Sequence, residues 1–196
     1  IFVIKKFFIP KTLNPMLNES LYHQIVNNFP TLKYALLEAQ TFDPVHYGFP
    51  EFFYKQMETD QQRVNAFKKT FEYYDNLKDT VVCEAGVGRL ALSRYYLPYV
   101  KKAYLIENNP NIISTIQAEL KAKGWDKKVE LIVGDATKIK LPEKVDFLIG
   151  ELMSIYCANE YQVQIFRHLR QFLKPEGKLI PEKILNMAQL GNAEFE

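Results

Sequence analysis

Residues 81–90 read Val81-Val82-Cys83-Glu84-Ala85-Gly86-Val87-Gly88-Arg89-Leu90, a short apolar run that closes on a carboxylate and then on two glycines one residue apart. The β-branched start predicts a buried strand, and the paired glycines predict a tight turn that brings backbone close to a ligand. Working outward, the chain after Lys78 alternates between similar runs, at 80–83, 103–106, 129–133, 145–149 and 178–180, and helical stretches between them. The helix after the second run is marked at both ends, with Asn109 as cap, Pro110 at its first position and Gly124 past its end. Apolar strands separated by helices predict a doubly wound, mainly parallel α/β sheet, covered on both faces and joined by right-handed crossovers. The stretch from Asn18 to Tyr74 has helical spacing broken at Pro30, Asp43-Pro44 and Phe49-Pro50. Residues 1–76 are therefore read as a helical N-terminal extension ending in a helix that caps the site, and 77–196 as the α/β core.

Composition narrows the partners. With 47% hydrophobic and 24% charged residues among 196, the chain is globular and large enough for a sizeable core. Twenty-five Lys and Arg against 23 Asp and Glu leave a formal charge of +2, and without a basic block this argues against nucleic acid. Cys83 and Cys157 lack metal or CxxC spacing, which points to a reducing, cytoplasmic compartment and no metal site. The apolar run 1–9 is interrupted by Lys5 and Lys6 and lacks a cleavage site; it is also far shorter than the ~20 residues of a membrane span, so no membrane is expected. The start without Met is expected to be processed, tagged or trimmed.

Open parallel sheets bind ligands beyond the carboxyl ends of their strands. Here those positions are acidic: Glu84 after the first run, Glu107 and Asn108 after the second, Gly134-Asp135-Ala136 after the third, and Gly150-Glu151 after the fourth. Singly, such acids cap the helices that follow. Gathered on one rim they repel unless a cation or hydrogen-bond donor sits among them. By spacing, Gly86-Val87-Gly88-Arg89-Leu90-Ala91 with Glu107 also fits a dinucleotide fingerprint, so a nicotinamide cofactor stays open. Glu84 beside the turn, however, repels the pyrophosphate that such a turn attracts. S-adenosylmethionine has no phosphate and carries a sulfonium and an ammonium, which suits Glu84 at its methionine end, Glu107 on its ribose and Asp135 with Ala136 at its adenine.

Three further stretches carry a family resemblance. Met57-Glu58-Thr59-Asp60-Gln61-Gln62-Arg63 fits M-x-x-D-x-x-R; Gly150-Glu151-Leu152-Met153 continues to Glu160, nine residues after Glu151; and Leu173-Lys174-Pro175-Glu176-Gly177 leads to Pro181. With the glycine turn, the sequence resembles class I S-adenosylmethionine-dependent methyltransferases, and more narrowly the catalytic domain of protein arginine methyltransferases. The resemblance implies a Rossmann-like methyltransferase fold, S-adenosyl-L-methionine as cofactor and S-adenosyl-L-homocysteine as product. It further implies a helix whose Met57 and Arg63 contact the cofactor, Arg63 through its carboxylate, and a catalytic pair, Glu151 and Glu160, that holds a guanidinium or amine acceptor on a protein or small molecule. Three features depart from the family: Leu90 replaces its third glycine, Leu152 replaces a Trp, and its β-barrel with a Thr-His-Trp loop is not expected in a sequence ending at Glu196.

The helix bearing Arg63 has its own reading. Phe53, Met57, Val64, Phe67, Phe71 and Tyr74 form one apolar stripe, with Asp60 inside it and Arg63 at its edge. Asp60 and Arg63 either pair with each other at i, i+3 or serve a ligand. Glu151 and Glu160 likewise admit a plain role, as a rim acid and a first-turn helix acid. A non-catalytic cofactor-binding scaffold, and a homodimer or partner chain that completes the site, remain compatible with the sequence.

Overall fold

The computed structural model describes residues 19–29, 51–74, 76–153 and 160–185. The turns expected at Pro30, Asp43-Pro44 and Phe49-Pro50, the opening run 1–9 and Cys157 lie outside them. In chain order the helices and strands are α1 (Glu19–Asn28), α2 (Glu51–Glu58), α3 (Gln61–Glu72), β1 (Val81–Ala85), β2 (Lys102–Glu107), α4 (Ile113–Ala122), β3 (Val129–Val133), β4 (Val145–Ile149), α5 (Gln162–Leu169) and β5 (Leu173–Ile180). The five strands form one sheet in the order β3-β2-β1-β4-β5, every pair parallel. Strand order reverses between β1 and β4, so a crevice is expected beyond Ala85 and Ile149. Among the described residues no helix is long and apolar enough to cross a membrane.

Strand alternation divides the core into two layers. Val82, Leu105, Phe147 and Ile149 pack with Phe67, Phe71, Tyr96, Leu97, Ile112 and Ile116 on one face. Val81, Cys83, Ala85, Tyr104, Ile106 and Leu148 pack with Leu141 and Leu169 on the other. β1 is buried along its whole length, as a central parallel strand should be, and it carries Glu84 inside with it. The edge strand β3 departs from the two-sided cover read from its sequence: Glu130 and Val133 are exposed. β5 begins earlier than residue 178, at Leu173, and takes Pro175 into an edge position where a missing N–H costs little.

Two local expectations fail for identifiable reasons. The single helix expected from Phe53 to Tyr74 is two helices, because Asp60 leaves helical geometry and its carboxylate accepts the Arg63 N–H at 3.1 Å. Asp60 is thus the exposed N-cap of α3, outside the apolar stripe that Val64, Phe67 and Phe71 bury. The helix expected after the glycine turn is also absent. Leu90 takes a left-handed φ of 61° while wholly buried, and the chain continues in turns with a short 3₁₀ segment at Ser93–Tyr95. That path sends Ser93 and Tyr96 back under β1.

Candidate functional site

A cleft of about 590 Å³ opens beyond the carboxyl ends of β1, β2, β3 and β4. Every site residue expected from the sequence lines it: Met57 and Arg63 from the α2–α3 corner, Glu84, Gly86 and Gly88 from β1 and its turn, Glu107 and Asn108 after β2, Asp135 and Ala136 after β3, and Glu151 and Glu160 beside β4 and α5. The turn is shaped by its glycines. Gly86 has φ 70°, and a Cβ there would meet Leu152 Cδ2 at 2.4 Å; Gly88 has φ 52°, and a Cβ would meet the Tyr54 ring at 3.0 Å. Leu152, where the family motif has Trp, therefore packs directly over the first glycine.

The acids on the β1–β2 side are met by the protein's own donors. Glu84 accepts from the Ser93 and Tyr96 hydroxyls, both at 2.6 Å, through Oε2. Burial pushes its carboxyl up to about 7, against the pull of those hydroxyls and with a smaller push from Glu107. Glu107 accepts from the Gly88 N–H at 2.9 Å through Oε2, and from the Asn108 and Asn109 N–H groups at 2.9 and 2.8 Å through Oε1. Burial raises its affinity for a proton, and those three backbone donors oppose the rise. With about four acceptor sites on a carboxylate, one remains for a ligand hydroxyl. Asp135 pairs with Lys138 at 2.8 Å and accepts from the Thr137 hydroxyl and N–H, and Lys138 first and Thr137 second hold its carboxyl down at about 2.

On the β4–α5 side the arrangement differs. Arg63 donates through Nη1 to Glu151 Oε2 and through Nη2 to the Met57 carbonyl at 2.6 Å, with Nε 3.8 Å from Asp60. The i, i+3 pairing with Asp60 and a role in the cleft thus coexist in one side chain. Among the described residues no hydrogen bond or ion pair reaches the Glu160 carboxylate. Burial first, and the neighbouring Glu151 second, push Glu160 up to about 7, against the attraction of Arg63.

Sequence reasoning missed the groups that hold the rim together. Glu58 bridges Arg89 at 3.1 Å and Arg94 at 3.2 Å, and Arg94 forks onto Glu119 of α4 at 2.7 and 2.9 Å. Tyr54 lies over Gly88 and accepts from Asn109 at 3.2 Å. These contacts fasten α2 across the cleft. Glu58 lay inside the quoted motif, but its partners are 31 and 36 residues away, beyond the reach of spacing.

With this geometry in view, comparisons with known proteins give a consistent frame. An uncharacterized protein of Methanocaldococcus jannaschii is 32% identical over 148 residues, covering 74% of this chain and 56% of its own. Protein arginine N-methyltransferase 5 of Oryza sativa subsp. indica is 34% identical over 108 residues, 52% of this chain and 17% of its own. The chain thus spans about half, or much less, of the curated relatives it matches. Among solved structures, Arabidopsis thaliana protein arginine methyltransferase 10 matches with a TM-score of 0.58 and 27% identity, covering 64% of this chain and 37% of its own. The Trypanosoma brucei PRMT1 enzyme-prozyme heterotetrameric complex with AdoHcy shares the fold, with a TM-score of 0.59 at 23% identity over 70% of this chain and 43% of that one. The PRMT5 arginine-N-methyltransferase family model matches residues 11–180, and the chain belongs to that family.

Proposed function

We propose that the chain transfers a methyl group from S-adenosyl-L-methionine to a guanidinium nitrogen of an arginine side chain. The observation that carries this reading is that Glu151 and Glu160 line the same cleft as the glycine turn and Glu107, near enough for Glu151 to raise the Glu160 carboxyl. The residues fit the cofactor. The space over Gly86 and Gly88 is kept by missing Cβ atoms, the ribose has a carboxylate with a free acceptor site, and the surrounding acids suit a cationic ligand without phosphate. Glu107 and Asn108 hold the ribose, Asp135 and Ala136 meet the adenine, Glu84 faces the methionine end, and Arg63 with Met57 orients its carboxylate. When bound, the cofactor supplies an electrophilic methyl on a sulfonium.

The chain's own work is placement and electrostatics. A fully delocalised guanidinium offers no free lone pair. Two carboxylates that fix its plane draw positive charge onto two nitrogens and leave the third a better nucleophile. The methylated nitrogen then sheds one proton, and in this reading the Glu160 carboxylate accepts it. A homodimer or a partner chain that completes the acceptor side is compatible with this reading.

Two measurements test the proposal. Calorimetry should show S-adenosylhomocysteine binding in the micromolar range, on the order of −8 kcal/mol, and no binding of NAD; tighter binding of NAD would return the turn to a nicotinamide enzyme. Mass spectrometry should then show methyl transfer to an arginine peptide and none to its lysine counterpart.

A further inference from the structure

Gln162 opens α5, a polar residue only 3% exposed. A buried amide must place its donors and acceptor. At helix starts such groups often satisfy the helix's own N–H groups, but this one turns outward. Its Oε1 accepts the Leu152 N–H at 2.9 Å, and its Nε2 donates to the Gly150 carbonyl at 3.3 Å. One side chain thus grips the peptide groups on both sides of Glu151. In sequence it stands two residues after Glu160, and between them Tyr161 takes a left-handed φ of 56°.

From this geometry we infer that Gln162 is the positioning residue of the carboxylate pair, pinning the backbone of Glu151 to the start of α5 so that Glu151 and Glu160 face one another across the acceptor site. Gln162 does not line the cleft, so it acts through the two glutamates and not on the acceptor itself. The side chain is matched to the task. A peptide link needs one donor and one acceptor at a fixed spacing; methionine offers neither, and an ionised glutamate offers no donor.

The kinetic consequence rests on the methyltransferase reading; the placement does not. Gln162→Met keeps length and removes both hydrogen bonds, while Gln162→Glu regains one donor and one acceptor only when protonated. In Gln162→Met, S-adenosylhomocysteine affinity should hold within about twofold while transfer to an arginine peptide at saturating substrates falls ~100-fold, the scale of a misplaced catalytic group. For Gln162→Glu, activity relative to wild type at the same pH should climb as pH falls. Full turnover by Gln162→Met, or a pH-independent ratio for Gln162→Glu, would overturn the assignment. A wild-type chain inactive on arginine would sink the arginine-acceptor reading instead, and the placement is then judged by carboxyl-carbon NMR. Glu160 faces Glu151 and Arg63, and once Glu151 swings away its titration in Gln162→Met should drop toward the ordinary carboxylate range. An unmoved Glu160 titration refutes the positioning role.

Discussion

The cleft has two halves that treat their carboxylates in opposite ways. On the β1–β2 side, Glu84 and Glu107 are buried but satisfied by Ser93, Tyr96 and three backbone N–H groups. On the β4–α5 side, Glu151 shares Arg63, while Glu160 faces a like charge with no described donor on it. The first half carries donors on both acids before any ligand arrives. A preorganised hydrogen-bonded wall sets shape and suits a ligand that is always the same. The second half is electrostatically incomplete, and a cation that enters it relieves repulsion already present. In the proposed complex, recognition of the acceptor is thereby built from a defect, and recognition of the cofactor from its absence.

The sharpest way to break this contrast is to remove charge from the unfinished half. Glu160→Gln is expected to cut methyl transfer at least ~100-fold, the scale of a lost transition-state contact, with S-adenosylhomocysteine affinity nearly unchanged and melting temperature at neutral pH not lowered, because a buried charge beside Glu151 is gone. Paired kinetics and calorimetry check it. Full turnover would make Glu160 a spectator acid ahead of α5, whose first turn carries no acid, and would leave Gln162 without a catalytic pair to position.

In the finished half the same operation should act on stability and affinity together. Glu107→Ala leaves the N–H groups of Gly88, Asn108 and Asn109 without their acceptor, at a cost of roughly 1–3 kcal/mol. Denaturant melts and cofactor titration of one preparation measure both losses. Unchanged cofactor affinity alongside lost stability would reduce Glu107 to a brace for the turn.

Arg63 touches both halves in the proposed complex, and it tells how far they are independent. Arg63→Lys keeps the charge but not the fork that serves Glu151 and the Met57 carbonyl at once. Cofactor affinity should fall about tenfold, or roughly 1.4 kcal/mol, and turnover should fall further because Glu151 loses its anchor. Equal affinity with intact folding would confine Arg63 to the acceptor half.

The contrast was only half legible in the sequence. The parallel sheet, the glycine turn and the acidic rim follow from strand runs and from what stands just past them, because a strand end fixes where the next side chain points. Glu151 stands just past the fourth strand run, while Glu160, nine residues on, was singled out by the family resemblance. Ser93, Tyr96, Arg94 and Gln162 were not found, because each reaches its partner through a turn whose path depends on tertiary packing. Leu90 illustrates the limit. The alternation of runs and helical stretches predicts a helix after the glycine turn, whereas the buried Leu90 holds a left-handed backbone and turns with a short 3₁₀ segment follow. The break at Asp60 was hidden for a related reason, since an N-cap and a mid-helix acid look alike until the backbone is seen.

The smallest expected effect compares the two raised carboxyls directly. Glu84 and Glu160 are both pushed up to about 7, the first by burial with a minor contribution from Glu107, the second by burial together with Glu151. In each case the folded protein holds a proton that the unfolded chain releases near an ordinary carboxylate value. The stability this adds is fully present below about 4.5 and is lost as pH rises through about 7, so melting temperature should decline over that window. A ligand's positive charge shifts the same equilibrium. S-adenosylmethionine differs from S-adenosylhomocysteine by the sulfonium charge, and a cation near Glu84 lowers that carboxyl and expels part of its proton. At pH 7 a group titrating near 7 is half protonated, so binding should release at most ~0.5 proton per site, and more with S-adenosylmethionine than with S-adenosylhomocysteine. Calorimetry in two buffers of different ionisation enthalpy reads that number. In Glu84→Gln the difference between the two ligands should shrink, whereas in Glu160→Gln it should persist, because the acceptor half is sensed by the guanidinium and not by the cofactor alone. If the difference instead follows Glu160, the sulfonium charge is felt mainly in the unfinished half, and the division of the cleft into a satisfied cofactor wall and a repulsive acceptor wall is wrong.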